Sequence, residues 1–176
     1  MQLSQPYSAF AKKQMKIQFT INFVLNGLFT WVAFQAAQET LYIPIGGMDS
    51  MLQDLLVTNF FLCSCVFFFV HADAKKFLVK ESLSGHWINK DSDMLKYINK
   101  FKPVDMTMKK AIFKIFFKAG IVVLILMGIM SLITPEAGIP WYGYWAFKVA
   151  YACTLAIIIA RGAVAVGTVN PQSINA

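Results

Sequence analysis

The sequence predicts an all-α integral membrane protein, a four-helix bundle made of two transmembrane hairpins. Three observations predict this fold class. The chain has 176 residues, of which 57% are hydrophobic and only 14% are charged, whereas about 25% of the residues of a soluble domain are charged. The apolar residues are gathered into four blocks, each close to the roughly 20 residues that a helix needs to cross a bilayer. The lysines are concentrated in alternate connections between those blocks.

Each block has a sequence that suits a membrane span. The first block carries no charged residue, and the third follows Pro103, with Asp105 as its predicted N-cap. The fourth block opens with an aromatic cluster that starts at Trp141, which is typical of a helix end at the membrane interface. Residues 1–176 are therefore expected to form one membrane domain. Its four spans are predicted at about 17–38, 51–71, 111–134 and 142–168.

A long lysine-rich segment separates the second and third spans. Residues 73–110 hold nine of the sixteen basic residues, and three more precede the first span. The connections 39–50 and 135–143 contain neither lysine nor arginine. Because cytoplasmic loops carry the excess of positive charge, the amino terminus, the carboxyl terminus and the 73–110 loop are predicted to be cytoplasmic. This distribution also argues against nucleic-acid binding, since membrane orientation already explains the net charge of +7.

Part of the long loop has helical periodicity. Apolar residues recur in it with lysines between them, which fits either a helix lying on the membrane surface or a solvated loop helix. The lysines of residues 73–118 are the predicted contacts for anionic lipid head groups. The apolar residues that show this helical periodicity are Met94, Leu95, Ile98 and Phe101.

Every span has a seam of small or polar residues along one face. Because water cannot drive helices together inside lipid, close packing and hydrogen bonds must hold them. In the second span the predicted seam is Asp54, Thr58 and Cys65. We expect the seams to let the helix backbones approach one another, and the alternative is that they line a pathway. The fourth span has the longest seam: Ala152, Ala156, Ala160, Ala163 and Gly167.

Apart from Lys114 and Lys118 at the cytoplasmic end of the third span, three charged residues fall inside predicted spans. Lys148 lies one turn before Ala152 and should point into the bundle, near the same level as Asp54. An unpaired charge at mid-bilayer costs roughly 2.5–3.5 kcal/mol, so we predict an Asp54–Lys148 ion pair. The pair either fixes the register of the helices or marks an ion or substrate path. Arg161 is expected to face away from the small seam and to reach lipid phosphates, a partner such as Asp73, or a second copy.

The remaining polar residues of the spans do not predict a catalytic or cofactor site. Asn22, Asn26 and Asn59 are expected to form hydrogen bonds between helices rather than to bind a ligand. A haem held by two histidines is excluded because only His71 lies at a span. No group of histidines, cysteines and acids has the spacing of a metal site, and no nucleotide-binding or hydrolase motif occurs. We therefore expect no cofactor.

Two strings in the sequence carry a resemblance to a known group of proteins. They are GGMDSMLQDLLVTNFF at the start of the second span and WYGYWAFKVAYACTLA at the start of the fourth. The chain resembles small four-span bacterial inner-membrane proteins that are uncharacterised and are sometimes labelled as permeases. The resemblance implies that Asp54 and Lys148 belong to a recurring pattern. It implies no particular activity.

These observations favour a non-enzymatic accessory or scaffolding protein of the bacterial inner membrane, working through a membrane-protein partner or through its own copies. The alternative is a small permease or channel subunit that uses Asp54 and Lys148 and works as an oligomer. A membrane-embedded enzyme acting on lipid ranks last, because the sequence offers no base, nucleophile or metal set.

Overall fold

The computed structural model describes residues 5–35, 41–46, 50–83, 100–101 and 106–168. These residues are mostly helical. Two of the helical stretches contain a π-helical turn, in which the backbone hydrogen bonds span one residue more than in an α-helix. The elements in chain order are α1 (Gln5–Phe23), a first π turn (Val24–Phe29), α2 (Thr30–Gln35), β1 (Leu41–Tyr42), α3 (Met51–Phe61), a second π turn (Leu62–Val66), α4 (Phe67–Leu83), α5 (Met108–Ile133), β2 (Ile139–Pro140) and α6 (Trp141–Gly167).

Side-chain caps set the start of two helices. The hydroxyl of Ser50 accepts a hydrogen bond of 3.2 Å from the backbone N–H of Gln53, which fixes the start of α3. At α5 the hydroxyl of Thr107 accepts one of 3.5 Å from the N–H of Lys110. The predicted cap for this helix, Asp105, is therefore wrong, because the chain enters the helix two residues later. Asp105 itself lies outside the described residues.

Within the described residues, three helices are long and apolar enough to cross a membrane: Met51–Lys80, Met108–Ile133 and Trp141–Gly167. The last two lie close to the predicted bounds 111–134 and 142–168. The protein is therefore a membrane protein with at least these apolar helices. The first predicted span, 17–38, falls on the helical stretch 5–35, and its last three residues lie outside the described part of the chain.

Two helices are longer than the sequence predicted. The first helical stretch begins at Gln5 rather than near residue 17, and α4 continues to Leu83 rather than ending at 71. Residues 73–83, predicted as the start of a loop, are therefore helical. Most of the predicted helix near residues 94–101 lies outside the described residues, although residues 100–101 are helical.

The two extensions pack against each other. The ring of Phe10 stacks on Phe77 at a centroid distance of 4.3 Å, and Tyr7 meets the same ring edge-on at 5.3 Å. The amide of Gln14 donates a hydrogen bond of 3.4 Å to the carboxylate of Asp73. Aromatic pairs of this kind stabilise beyond their buried area, so each extension supports the other as a helix.

The helix α6 is central, because it packs against the first stretch, against α3 and α4, and against the second π turn. At one end, here called the turn end, β1 and β2 pair antiparallel, with Tyr42 opposite Ile139. Gly138 makes this pairing possible, since its φ is +88° and a Cβ there would lie 2.9 Å from the carbonyl oxygen of Tyr42. At the other end, here called the terminus end, α1 begins and α6 finishes near the middle of α4.

The described residues form two hydrophobic clusters. One lies at the turn end and is built from large side chains such as Tyr144, Met51 and Met127. The other reaches from the middle to the terminus end and is rich in alanine and valine from α6. All five residues of the predicted seam on α6 are buried in the structure: Ala152, Ala156, Ala160, Ala163 and Gly167.

Candidate functional site at the turn end

The predicted contact between Asp54 and Lys148 is present. Lys148 Nζ lies 2.7 Å from Oδ2 of Asp54 and 2.8 Å from Oδ1, so the ammonium group bridges both carboxylate oxygens. Asp54 comes from the first turn of α3, and Lys148 from the third turn of α6. The side chain of Lys148 is 10% exposed and that of Asp54 is 34% exposed. The pair therefore joins two helices at the edge of the packed interior.

Tyr144 completes this cluster. Its hydroxyl donates a short hydrogen bond to Oδ2 of Asp54, and the residue is fully buried. The ring of Tyr42, from β1, stacks on it at a centroid distance of 4.8 Å. The sequence predicts a membrane-interface position for the aromatic residues around Trp141 and does not predict this role of Tyr144. The available signal was spacing, because Tyr144 precedes Lys148 by four residues and shares its helix face.

The chemistry of the cluster is that of a neutralised ion pair. One negative and one positive charge face each other, and a phenol hydroxyl bonds the same carboxylate, so the net charge is close to zero. A lysine amine and an aspartate carboxylate can both act as nucleophiles in enzymes, but here the ammonium group of Lys148 and the carboxylate of Asp54 are bonded to each other. Among the described residues, no group of three or more histidines, cysteines or acids could hold a metal ion.

Asn59 lies just beyond this cluster and does join two helices, as predicted. Its side-chain oxygen accepts a hydrogen bond of 2.5 Å from the hydroxyl of Tyr151 on α6. Asn59 is fully buried, and its Nδ2 has no hydrogen-bond partner in the described part of the chain. A buried amide nitrogen without a partner is costly, so this position attracts any acceptor that can reach it.

Within the described residues, the hydrogen bonds of Asn22 and Asn26 stay in their own helical stretch, so the prediction of bonds between helices is wrong for both. The Nδ2 of Asn22 donates to the backbone oxygen of Gln18 at 2.8 Å, and that of Asn26 donates to the backbone oxygen of Asn22 at 3.2 Å. Asn26 Nδ2 also lies 3.5 Å from Oδ1 of Asn22. Short amide side chains reach the carbonyl one turn back in their own helix, and this local bond competes with a partner on another helix.

The link from the first stretch to α6 is made by a tryptophan instead. Nε1 of Trp145 donates a hydrogen bond of 2.9 Å to the backbone oxygen of Gly27, which lies in the first π turn. Trp31 meets the ring of Trp145 edge-on at 4.9 Å and that of Trp141 at 5.0 Å. A π turn disturbs the regular ladder of backbone bonds, and the indole N–H supplies an additional donor there.

Arg161 lies on α6 at the terminus end and is exposed, in agreement with its predicted direction away from the small seam. The seam itself faces α4 at close range. A Cβ on Gly167 would lie 2.6 Å from Cβ of Ala74 and 2.8 Å from the backbone oxygen of His71. Only a glycine fits at this approach, so the seam acts as a packing surface at this point.

The polar groups of the turn end are separated from those of the terminus end. Buried apolar side chains of the second π turn and α4 occupy the interior between Asn59 and His71. The intervening residues are Leu62, Cys63, Val66, Phe67 and Val70.

Comparison of the chain with protein-family models, with curated proteins and with solved structures finds no match.

Proposed function

We propose that this chain is a four-span protein of the bacterial inner membrane that acts as a non-enzymatic accessory or scaffolding protein. The observation that carries the proposal is the closed ion pair of Asp54 and Lys148 above an apolar interior. A charge that serves transport must exchange partners, whereas this pair is bonded on both carboxylate oxygens and is braced by Tyr144. Its geometry suits a clamp between helices.

A fourth span is supported by the surface of the first stretch. Its large apolar side chains are exposed along residues 17–32, where lipid would cover them. Placing the lysine-rich terminus end in the cytoplasm follows the positive-inside rule. The bacterial inner membrane is the location that the resemblance of the two strings implies.

Topology is tested by labelling single cysteines in intact cells, with Cys63, Cys65 and Cys153 replaced by serine or alanine. Ile45→Cys and Ala137→Cys place exposed probes at the turn end, and Lys76→Cys places one at the terminus end. We expect an impermeant maleimide to label the first two and to spare the third until the cells are opened. Labelling of Lys76→Cys alone in intact cells would contradict this orientation and indicate the opposite one.

The accessory role is tested by releasing the protein gently from its own membrane and recording native mass spectra. We expect a defined complex with another membrane protein, or a fixed number of copies that carry no small molecule other than lipid. Replacing exposed apolar residues of α5, such as Leu132→Asn, should weaken a complex formed through that face. A stable monomer without any partner would contradict the proposal.

A small oligomeric permease or channel subunit is the second candidate. Two observations favour it: one third of the Asp54 side chain is exposed, and Nδ2 of Asn59 is an unsatisfied donor nearby. Ion flux into proteoliposomes separates the two candidates. Flux that Lys148→Met abolishes and that the exposed control Lys109→Met leaves intact would favour the permease, and absence of flux for the wild-type chain would favour the accessory role.

A further inference from the structure

A groove of about 490 Å³ lies between α5 and α6, away from the ion pair. Its walls are almost entirely apolar and include Val122 and Leu126 on α5 and Leu155 and Ile158 on α6. The volume falls within the range of small-ligand sites, which is about 300–1,000 Å³. From residue 115 to residue 126 the groove follows α5 over roughly 17 Å. This length and lining suit a hydrocarbon chain.

Two lysines give the groove a charged end. Lys100 and Lys118 both line it, both are exposed, and neither has an ion-pair partner among the described residues. The ring of Phe101 lies over Gly162, where a Cβ would come within 2.3 Å of the ring, and this contact holds residues 100–101 against α6. This close packing of Phe101 on Gly162 therefore places the positive charge of Lys100 beside the groove.

The apolar wall extends from the lysines toward the middle of the two helices. Lys118 lies ten residues from the start of α5, and Leu126 lies eight residues further toward the turn end. That separation is roughly 12 Å along the helix. A ligand bound here thus meets positive charge near one end and mostly apolar surface over the rest of its length, where Tyr151 and Thr154 are the polar residues of the lining.

We propose that the groove is a site for one anionic phospholipid. Lys100 and Lys118 contact its phosphate, and one acyl chain lies along α5 and α6 toward Leu126. Basic pockets between transmembrane helices on the cytoplasmic side bind anionic head groups by this chemistry, since a lysine ammonium acts as a point charge for phosphate. The inference rests on the membrane-spanning role proposed above. The bound lipid belongs to the leaflet whose head groups lie beside Lys100 and Lys118.

The site is tested with the full chain purified in detergent and titrated with dioleoyl phosphatidylglycerol or dioleoyl phosphatidylcholine. Native mass spectrometry counts the bound lipids. We expect one phosphatidylglycerol to bind well before any phosphatidylcholine. The double variant Lys100→Gln/Lys118→Gln should lose affinity for phosphatidylglycerol by about 25-fold, since each lysine near anionic lipid contributes about fivefold. Lys75→Gln/Lys76→Gln, which removes two exposed lysines of α4, should leave this binding unchanged.

A second variant tests the apolar half of the site. Thr154 lines the groove and is exposed, so Thr154→Trp should fill it and abolish the tight lipid. Ala146→Trp adds the same bulk two turns away on α6 and should retain it. Folding of Thr154→Trp is judged by its helix content and its elution as a single species. If this variant fails to fold, the lipid affinity of Lys100→Gln/Lys118→Gln tests the proposal instead, because those substitutions add no bulk.

The proposal is overturned if both lipids bind equally, or if the lysine variant binds phosphatidylglycerol as the wild type does. It is also overturned if a folded Thr154→Trp retains the tight lipid. Failure of the membrane proposal itself has a different signature. In that case alkaline carbonate would release the chain from membranes without detergent, whatever the lipid titration shows.

Discussion

The turn end and the terminus end of this protein hold the same helix by different means. At the turn end, α6 is joined to its neighbours by directed polar contacts: Lys148 and Tyr144 to Asp54, and Trp145 to Gly27. At the terminus end it is joined by close approach, with Gly167 against Ala74 and His71. Lipid removes the usual hydrophobic drive for helix association, and these are the two remaining sources of affinity.

The difference follows from the residues that each end can use. Large aromatic side chains keep backbones apart, so the turn end relies on long polar side chains to cross the gap. Alanine and glycine bring backbones together, so the terminus end gains dispersion contacts over many atoms. The two ends should therefore respond differently to the same kind of substitution, and four predictions, ordered by the size of the expected effect, test this.

The largest effect is expected at the terminus end. Gly167→Leu introduces a side chain where even a Cβ lies 2.6 Å from Ala74 and 2.8 Å from a backbone oxygen. Neither neighbour can move without shifting α4, so the free energy of unfolding should fall by about 3 kcal/mol or more. Denaturation in mixed detergent micelles, followed by circular dichroism, measures this fall.

The matched control for this variant is on the same helix. A Cβ on Gly143 would meet nothing within 4 Å, so Gly143→Leu should change the free energy of unfolding by less than about 1 kcal/mol. Equal losses from the two variants would show that the close approach to Ala74 does not stabilise the terminus end.

The second effect is expected at the ion pair. Lys148→Met leaves the carboxylate of Asp54 with only the phenol of Tyr144, and Asp54→Asn leaves a buried ammonium group. Breaking a fully buried pair costs about 3–5 kcal/mol, and the partial exposure of Asp54 brings the expected loss nearer to 2–3 kcal/mol. The double variant should lose less than the sum, with a coupling energy of about 1–3 kcal/mol. Strictly additive losses would mean that the pair does not couple the two helices.

The sequence was sufficient for the features that lipid constrains most strongly. The bounds of α5 and α6 follow from apolar length, and Lys148 had to point at a carboxylate because an unpaired charge in a span is costly. Both features depend only on which residues occupy a span and on their position along the chain. Neither needs knowledge of how side chains meet in three dimensions.

Features that depend on local backbone geometry could not be predicted. The predicted seam of the second span placed Cys65 with Asp54 on one face, but Cys65 is exposed and Cys63 is buried. The predicted seam assumes 3.6 residues per turn, whereas the second π turn, Leu62–Val66, takes more residues per turn and therefore rotates Cys65 and the side chains after it. The sequence of these residues does not predict a π turn.

The choice among several similar aromatic residues was also beyond the sequence. Tyr142, Tyr144, Trp141 and Trp145 all suit a membrane interface by composition. In the structure Tyr144 is buried against Asp54, whereas Tyr142 is exposed. Only the direction of each side chain from α6 separates these roles, and that direction depends on where the helix sits against its neighbours.

The third effect tests the phenol at the ion pair. Tyr144→Phe keeps the ring against Tyr42 but removes the hydrogen bond to the carboxylate of Asp54. A hydrogen bond to a charged group contributes about 1.5–3 kcal/mol, and the remaining bonds from Lys148 favour the lower figure. The exposed Tyr142→Phe serves as the control and should leave the free energy of unfolding unchanged. A loss no larger than that of the control would mean that the hydroxyl of Tyr144 does not stabilise the contact with Asp54.

The smallest effect is expected where a side chain bonds the backbone. Trp145→Phe retains an aromatic ring near Trp31 but removes the N–H that bonds the oxygen of Gly27. Hydrogen bonds between membrane helices average about 0.6 kcal/mol, so the loss should be near that value. Trp141→Phe is the matched control, because it alters a ring beside Trp31 without touching Gly27. A loss for Trp145→Phe as large as that for Lys148→Met would mean that the first π turn, rather than the ion pair, is the principal attachment of the turn end. The turn end would then be held mainly by the hydrogen bond from Trp145 to the backbone of Gly27, and the ion pair would contribute less. The terminus end would still be held by close packing.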